Sequence, residues 1–249
     1  SGGGAGVVIY DGRQVYAWGD PDELFDLKST TKSIGVTALG LAISDGLVAL
    51  PDAARNHLPD IGVPPLENAE TGWIDEIRIR HLATHSAGFD KPGGYVRLLF
   101  QPGSAWAYSD AGANWLADIL TVAFDADLHS VLASRVFEPL GIEAEDLRWR
   151  DHNYRFEDIN GIKRREFGSG IEANIDAMAR IGYLYLREGV WQGGRILPAW
   201  FVRRVGRADP GLQGLEIRDS LDHPGAPDHY GLLWWNNSDG MLRNVPRDA

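Results

Sequence analysis

The chain contains no cysteine. Disulfide staples, zinc–thiolate centres and thiol nucleophiles are therefore excluded, while the compartment stays open. Long apolar runs are absent too: the longest, Ile34 to Ile43, is about half the ~20 residues of a membrane span. No basic and apolar leader opens the sequence, which fits a cytoplasmic protein or the mature form of a secreted one. Positive charge is in short supply, with 24 Lys and Arg against 35 Asp and Glu and a formal net charge of −11. Nucleic acids and anionic membranes are themselves negative, so neither is expected as a partner. Lysine is scarcest of all, at Lys28, Lys32, Lys91 and Lys163 alone.

Several signatures of chemistry are missing as well. No Gly-x-Ser-x-Gly elbow occurs, which disfavours an α/β-hydrolase. His-Glu-x-x-His and a P-loop are absent. The histidines, at 57, 81, 85, 129, 152, 223 and 229, are scattered without ligand spacing, so no metal and no cofactor are expected. His85 is expected to tie down its own turn. Arg164-Arg165 and Arg203-Arg204 read as solvated faces.

What remains is ordinary globular material: 249 residues, 44% apolar, enough for one large domain or one domain with an insertion. Nine Trp and eight Tyr suit either a well-filled core or a cleft with aromatic walls. Val7 to Trp18 reads as a β-hairpin turning on Asp11-Gly12, since Asp-Gly supplies the positive φ angles of a tight turn. Ser29 to Asp45 reads as a helix ended by Gly46, apolar nearly all round and so buried. Residues 50–72, with four prolines, should be mostly loop. Regular structure resumes over Ile77–Thr84, followed by a turn at His85–Gly88. Helices are expected over Asn114–Phe124, Leu128–Phe137, Ile175–Glu188 and Pro198–Val205, and a strand over Tyr230–Trp235.

One short pattern carries chemistry. Ser29-Thr30-Thr31-Lys32 places a hydroxyl and an amine one helical turn apart on one face. A serine hydroxyl needs a neighbouring base before it becomes a nucleophile. A lysine can be that base when burial and nearby positive potential lower its pKa. A helix N-terminus adds partial positive charge there. The alternative is a Ser29 cap with Lys32 reaching solvent. The apolar run that follows favours catalysis, because a lysine buried beside it is costly without a role or partner.

These residues resemble a family. Lys28-Ser29-Thr30-Thr31-Lys32-Ser33, with Asp45-Gly46-Leu47-Val48 after the helix, is similar to the first motif of penicillin-binding proteins and class C β-lactamases. The esterases and amidases related to them share that motif. His81-Leu82-Ala83-Thr84-His85-Ser86-Ala87-Gly88-Phe89 resembles a turn of the same family. Tyr108-Ser109-Asp110, after Gln101-Pro102-Gly103, resembles its second motif, Tyr-Ser-Asn. Gly168-Ser169-Gly170, the helix at 175–188 and Tyr230-Gly231-Leu232-Leu233-Trp234-Trp235 match later landmarks in order. The resemblance implies an α/β (α+β) fold: a mainly antiparallel sheet flanked by helices, with residues 1–49 and 166–249 forming the α/β region and a largely helical insertion at 50–165. It also implies catalysis by Ser29, Lys32 and Tyr108, the phenol relaying the serine proton, with Asp110 on the substrate side of the site. Trp106, close to Tyr108 in the sequence, is a candidate for a substrate-binding cleft wall, with core packing as its alternative.

Two departures stand out. Asp110 replaces the usual Asn; a carboxylate can hold Lys32 but only accepts hydrogen bonds, which raises the lysine pKa and favours Tyr108 as the base. It could instead face outward. The family's third motif, Lys or His followed by x-Gly, has no match at the expected place. Lys91-Pro92-Gly93 and His223-Pro224-Gly225 fit it literally, but both come too early and carry proline, so both read as loops. The closing strands are therefore expected on a second chain or on residues beyond this sequence. Three functions follow from the resemblance: hydrolysis of a small ester or peptide-like amide, slow-turnover penicillin binding or sensing, or a non-catalytic contact role.

Overall fold

The computed structural model describes residues 4–218, 223 and 225–237. The opening Ser1–Gly3, Pro224 of the His223-Pro224-Gly225 pattern and residues 238–249 lie outside the described residues.

The hairpin forms as read. Gly6–Tyr10 pairs antiparallel with Arg13–Trp18, and Asp11 and Gly12 take φ of 51° and 71° at its tip. It packs against the helix Ile175–Leu186, and among the described residues it pairs with no other strand. The sheet therefore comes in pieces. A central antiparallel sheet sets Ile171–Ala173 between Phe25–Asp26 and Leu147–Trp149. Ala105–Trp106 runs parallel to Glu216–Ile217.

The segment after the edge strand Phe25–Asp26 turns into two helices, Thr30–Gly35 and Thr37–Ser44, where one was expected. Val36 separates them, but its amide still donates to Lys32 O at 2.9 Å, so the axis continues. Gly46, at φ 73°, ends the second helix. The apolar run is buried as its composition requires: Val36, Ala38, Leu39 and Ala42 are fully covered. Gly35 is there for closeness, since a Cβ on it would lie 2.5 Å from the Phe167 ring.

The segment 50–165, expected as an insertion, adds Leu82, Trp115, Leu132 and others to the same buried cluster as the first helices. Its principal helix, Asp110–Phe124, begins four residues earlier than expected, because the Ser109 hydroxyl accepts from Gly112 N at 3.0 Å and caps it. Leu128–Leu132 is α-helical and widens into a π turn over Ala133–Phe137. Residues 50–72 are mostly irregular and are pinned by the buried Asn68, whose amide bonds Gly62 O, Val96 O and Leu98 N.

Two expectations are corrected. Tyr230–Trp235 is not a strand: Tyr230 and Trp235 meet across a tight turn in which Leu233 takes φ 55°. Its apolar composition reflects burial, which a coiled segment clamped to its neighbours achieves as well as a strand does. Leu233 N donates to Ala83 O, Ser33 Oγ donates to Leu233 O, and Trp234 Nε1 donates to Ser33 O. Arg164 and Arg165 are not a solvated face either. Both are buried, Arg164 paired with Asp118 and Arg165 forked onto Asp127 at 2.8 and 2.6 Å. Paired guanidinium groups can be buried where single ones cannot.

Candidate active site

The site begins at an elbow. Between the strand Phe25–Asp26 and the helix Thr30–Gly35, Lys28 adopts φ 50°, a conformation non-glycine residues seldom take. Asp26 holds it there, accepting from Lys28 N at 2.9 Å and from its ammonium at 2.5 Å. The elbow leaves Ser29 exposed at the head of the helix. Thr31 locks the other side by accepting Ile171 N at 3.1 Å.

One turn on, Lys32 is only 1% exposed. Its Nζ lies 3.2 Å from Ser29 Oγ, 2.5 Å from Asp110 Oδ1 and 2.9 Å from Gly168 O. Those three contacts use every donor of an ammonium. A neutral amine keeps two donors and gains a lone pair. It would still satisfy Asp110 and Gly168 while accepting the proton of Ser29. Burial lowers the lysine pKa below its ordinary value, and the Asp110 carboxylate pushes the other way without cancelling that effect.

Each acceptor around Lys32 is itself fixed. Asp110 N donates to Lys91 O at 3.0 Å. The Lys91 ammonium takes the second oxygen of Asp110. Gly168 is held by Asn114, whose Oδ1 accepts from the amides of Phe167 and Gly168 at 2.9 Å each, while its Nδ2 donates to Gly93 O. Tyr108 is nearly buried in an aromatic nest, stacked on Trp235 at 6.3 Å and beside His85 at 4.5 Å. The Lys32 and Lys91 ammonium groups lie 4.8 and 5.2 Å from its ring centre. His85 does tie down its turn: its Nδ1 accepts from Ser109 N at 3.3 Å and its carbonyl from Ala107 N at 3.0 Å, setting the chain on both sides of Tyr108. Burial and the nearby lysines keep this imidazole neutral, its pKa well below the ordinary 6.5.

The structure thus gathers Ser29, Lys32, Tyr108 and Asp110 around one ammonium. Trp106 is corrected: it is fully buried behind Tyr108, packed on Tyr230 and Trp235, and is a core residue instead of a cleft wall. Sequence reasoning missed Lys91, Asn114, the Gly168 carbonyl and Glu166. Lys91 and Gly168 had left signals, in the Lys91-Pro92-Gly93 and Gly168-Ser169-Gly170 patterns, but neither pattern pointed to these contacts. Hollows of about 440 and 480 Å³ flank the hairpin, lined by residues such as Trp18, Asn174 and Tyr183. Neither includes Ser29 or Lys32, so chemistry and not cavity size locates the site.

Glu166 lies behind this group, fully buried and paired with Arg150. Burial raises its pKa to about 7, against the opposing pull of Arg150. The carboxyl therefore ionises more readily in the unfolded chain, whose ordinary value is 4.5. Its contribution to stability is full below that value and is lost as pH rises through about 7. The stability difference between wild type and Glu166→Gln is expected to fall by about 2 kcal/mol from pH 5 to pH 8, as measured by urea unfolding at both. A constant difference would refute the shift.

The Beta-lactamase family model matches residues 1–235. The chain belongs to the Beta-lactamase family. A curated relative, an uncharacterised protein of Alkalihalophilus pseudofirmus, is 26% identical over 200 residues, 74% of this chain and 54% of its own length. The chain thus spans about half of that relative. Among solved structures, a β-lactamase from Mycobacterium bovis superposes with a TM-score of 0.62 at 22% identity, covering 85% of this chain and 62% of that one. A family VIII carboxylesterase superposes at 0.61 and 15% identity, covering 78% and 64%. Both are alike in fold, which is the β-lactamase and penicillin-binding-protein type, mixed helices with antiparallel strands.

Proposed function

We propose that this Beta-lactamase family member is a serine hydrolase that cleaves a small carboxylic ester or peptide-like amide through an acyl-enzyme on Ser29. The observation that carries the reading is the buried Lys32 ammonium 3.2 Å from the exposed Ser29 hydroxyl, with its remaining donors committed to Asp110 and Gly168. In the reactive state Lys32 is neutral and takes the Ser29 proton as the oxygen attacks the carbonyl carbon. Tyr108, with two cations near its ring, passes a proton to the leaving alcohol or amine as its bond to carbon breaks. Water then attacks the ester carbon, its proton travels back through the same groups, and Ser29 leaves with its hydroxyl restored. The family assignment supports this chemistry, and the fold alone does not choose a substrate.

Labelling with a biotinylated fluorophosphonate followed by peptide mapping tests it, together with a panel of p-nitrophenyl esters, D-amino-acid amides and nitrocefin. The reading expects a single modified residue, Ser29, and release of product from an ester or amide. Stable acylation by penicillin without turnover would replace it with a binding or sensing role. No modification of folded protein would leave only a contact role.

A further inference from the structure

Asp110 is gripped from both sides. Its Oδ1 accepts from Lys32 and its Oδ2 from Lys91. The two lysines come from different parts of the chain, one from the nucleophile's helix and one from the loop after the His85–Gly88 turn. They differ in exposure: the Lys32 side chain is 1% exposed and that of Lys91 is 27% exposed. Both ammonium groups also lie over the Tyr108 ring. Lys91 is held in register, since its carbonyl accepts from Asp110 N at 3.0 Å and its amide donates to Asp90 Oδ1 at 2.7 Å. Asp90 O in turn accepts the Ser109 hydroxyl at 2.7 Å.

The charges around the pair can be counted. With Lys32 protonated and Lys91 absent, Lys32 and Asp110 balance, and removing the lysine proton would leave a carboxylate only 21% exposed without a cation. With Lys91 present, Asp110 keeps a cation when Lys32 becomes neutral. Other groups bear on Lys32. Glu166, paired with Arg150, and Tyr154 act on it by charge. His85 and His223 face Tyr108, at 4.5 and 5.4 Å between rings, and Tyr230 meets it edge-on. Of these, only Lys91 puts a cation on the same carboxylate as Lys32 among the described residues.

We propose that Lys91 is a positioning residue of the active site, holding Asp110 as a balanced ion pair so that Lys32 can act as the neutral base and Tyr108 can carry negative charge. The role rests on the hydrolase reading above. The Lys91 ammonium bonds Asp110 and lies over the Tyr108 ring, so it acts on Lys32 through Asp110.

The test is the pH dependence of Ser29 modification by a fluorophosphonate, which needs no known substrate. The rate should rise with pH along a limb that reports loss of the proton from the base. In Lys91→Met that limb should move up by about one pH unit or more, because a positive charge beside the base has been removed. Lys91→Arg should restore the wild-type limb. A Lys91→Met limb at the wild-type pH, whatever the change in maximal rate, would overturn the role of Lys91 and leave the hydrolase reading standing. A wild-type protein that is not modified at Ser29 would overturn the hydrolase reading and the Lys91 role with it.

Discussion

Replacing Ser29 with alanine is expected to cut the hydrolysis of any accepted ester or amide on the order of 10⁴-fold or more, leaving stability within about 0.5 kcal/mol of wild type. The two halves of this expectation have separate causes. Activity collapses because the alanine has no oxygen to form the acyl bond, and groups that act as a unit lose nearly everything when one is removed. Stability holds because Ser29 is exposed and its contact with Lys32, at 3.2 Å, is the longest of the three that the ammonium makes. Asp110 and Gly168 remain to satisfy the lysine. Matched steady-state rates and urea unfolding curves for the two proteins check both halves. Undiminished turnover in Ser29→Ala would remove the serine from the chemistry.

Asp118→Ala should have the largest effect on the fold, a loss of about 3–5 kcal/mol. Asp118 sits on the inward face of the Asp110–Phe124 helix, fully buried. It pairs with Arg155 at 2.7 Å and Arg164 at 3.1 Å, whose side chains are 0% and 7% exposed. Removing the carboxylate leaves two guanidinium groups in the interior with no counter-charge. Arg155 also lies 4.0 Å over the Trp115 ring, so it cannot withdraw to water without emptying that contact. Its Nη2 donates to Gly94 O and Ala111 O at 3.2 Å each, so the loss should spread to the loop that carries Lys91. The denaturation midpoint measures the effect. A midpoint unchanged from wild type would show that the cluster contributes nothing net.

Local chemistry made some of this legible in the sequence. Asp11-Gly12 announced its turn through backbone sterics, and Gly46 announced the end of its helix in the same way. Ser29 and Lys32 were legible because helical geometry alone brings residues three apart together. Tyr108 and Asp110 were reachable only through resemblance, since 78 residues separate Asp110 from the lysine it meets. What escaped notice was set by tertiary contacts. Arg164-Arg165 looks like a solvent face until Asp118 and Asp127 are placed against it. Trp106 could have walled a cleft, and only the rings packed around it assign it to the core. Tyr230–Trp235 has strand composition but bends where Leu233 must turn to reach Ala83 and Ser33.

The clasp between the serine helix and the 230–235 turn bears on how the molecule matures. Ser33 and Leu233 are 200 positions apart, and Lys32 meets Gly168 across 136. Closing loops of that size is slow, and chains synthesised from the N-terminus acquire such contacts late. Ser29 and Lys32 thus emerge from the ribosome well before Gly168, which accepts from the Lys32 amine, and before Leu233, which clasps their helix, so the surroundings of this pair are completed late in synthesis.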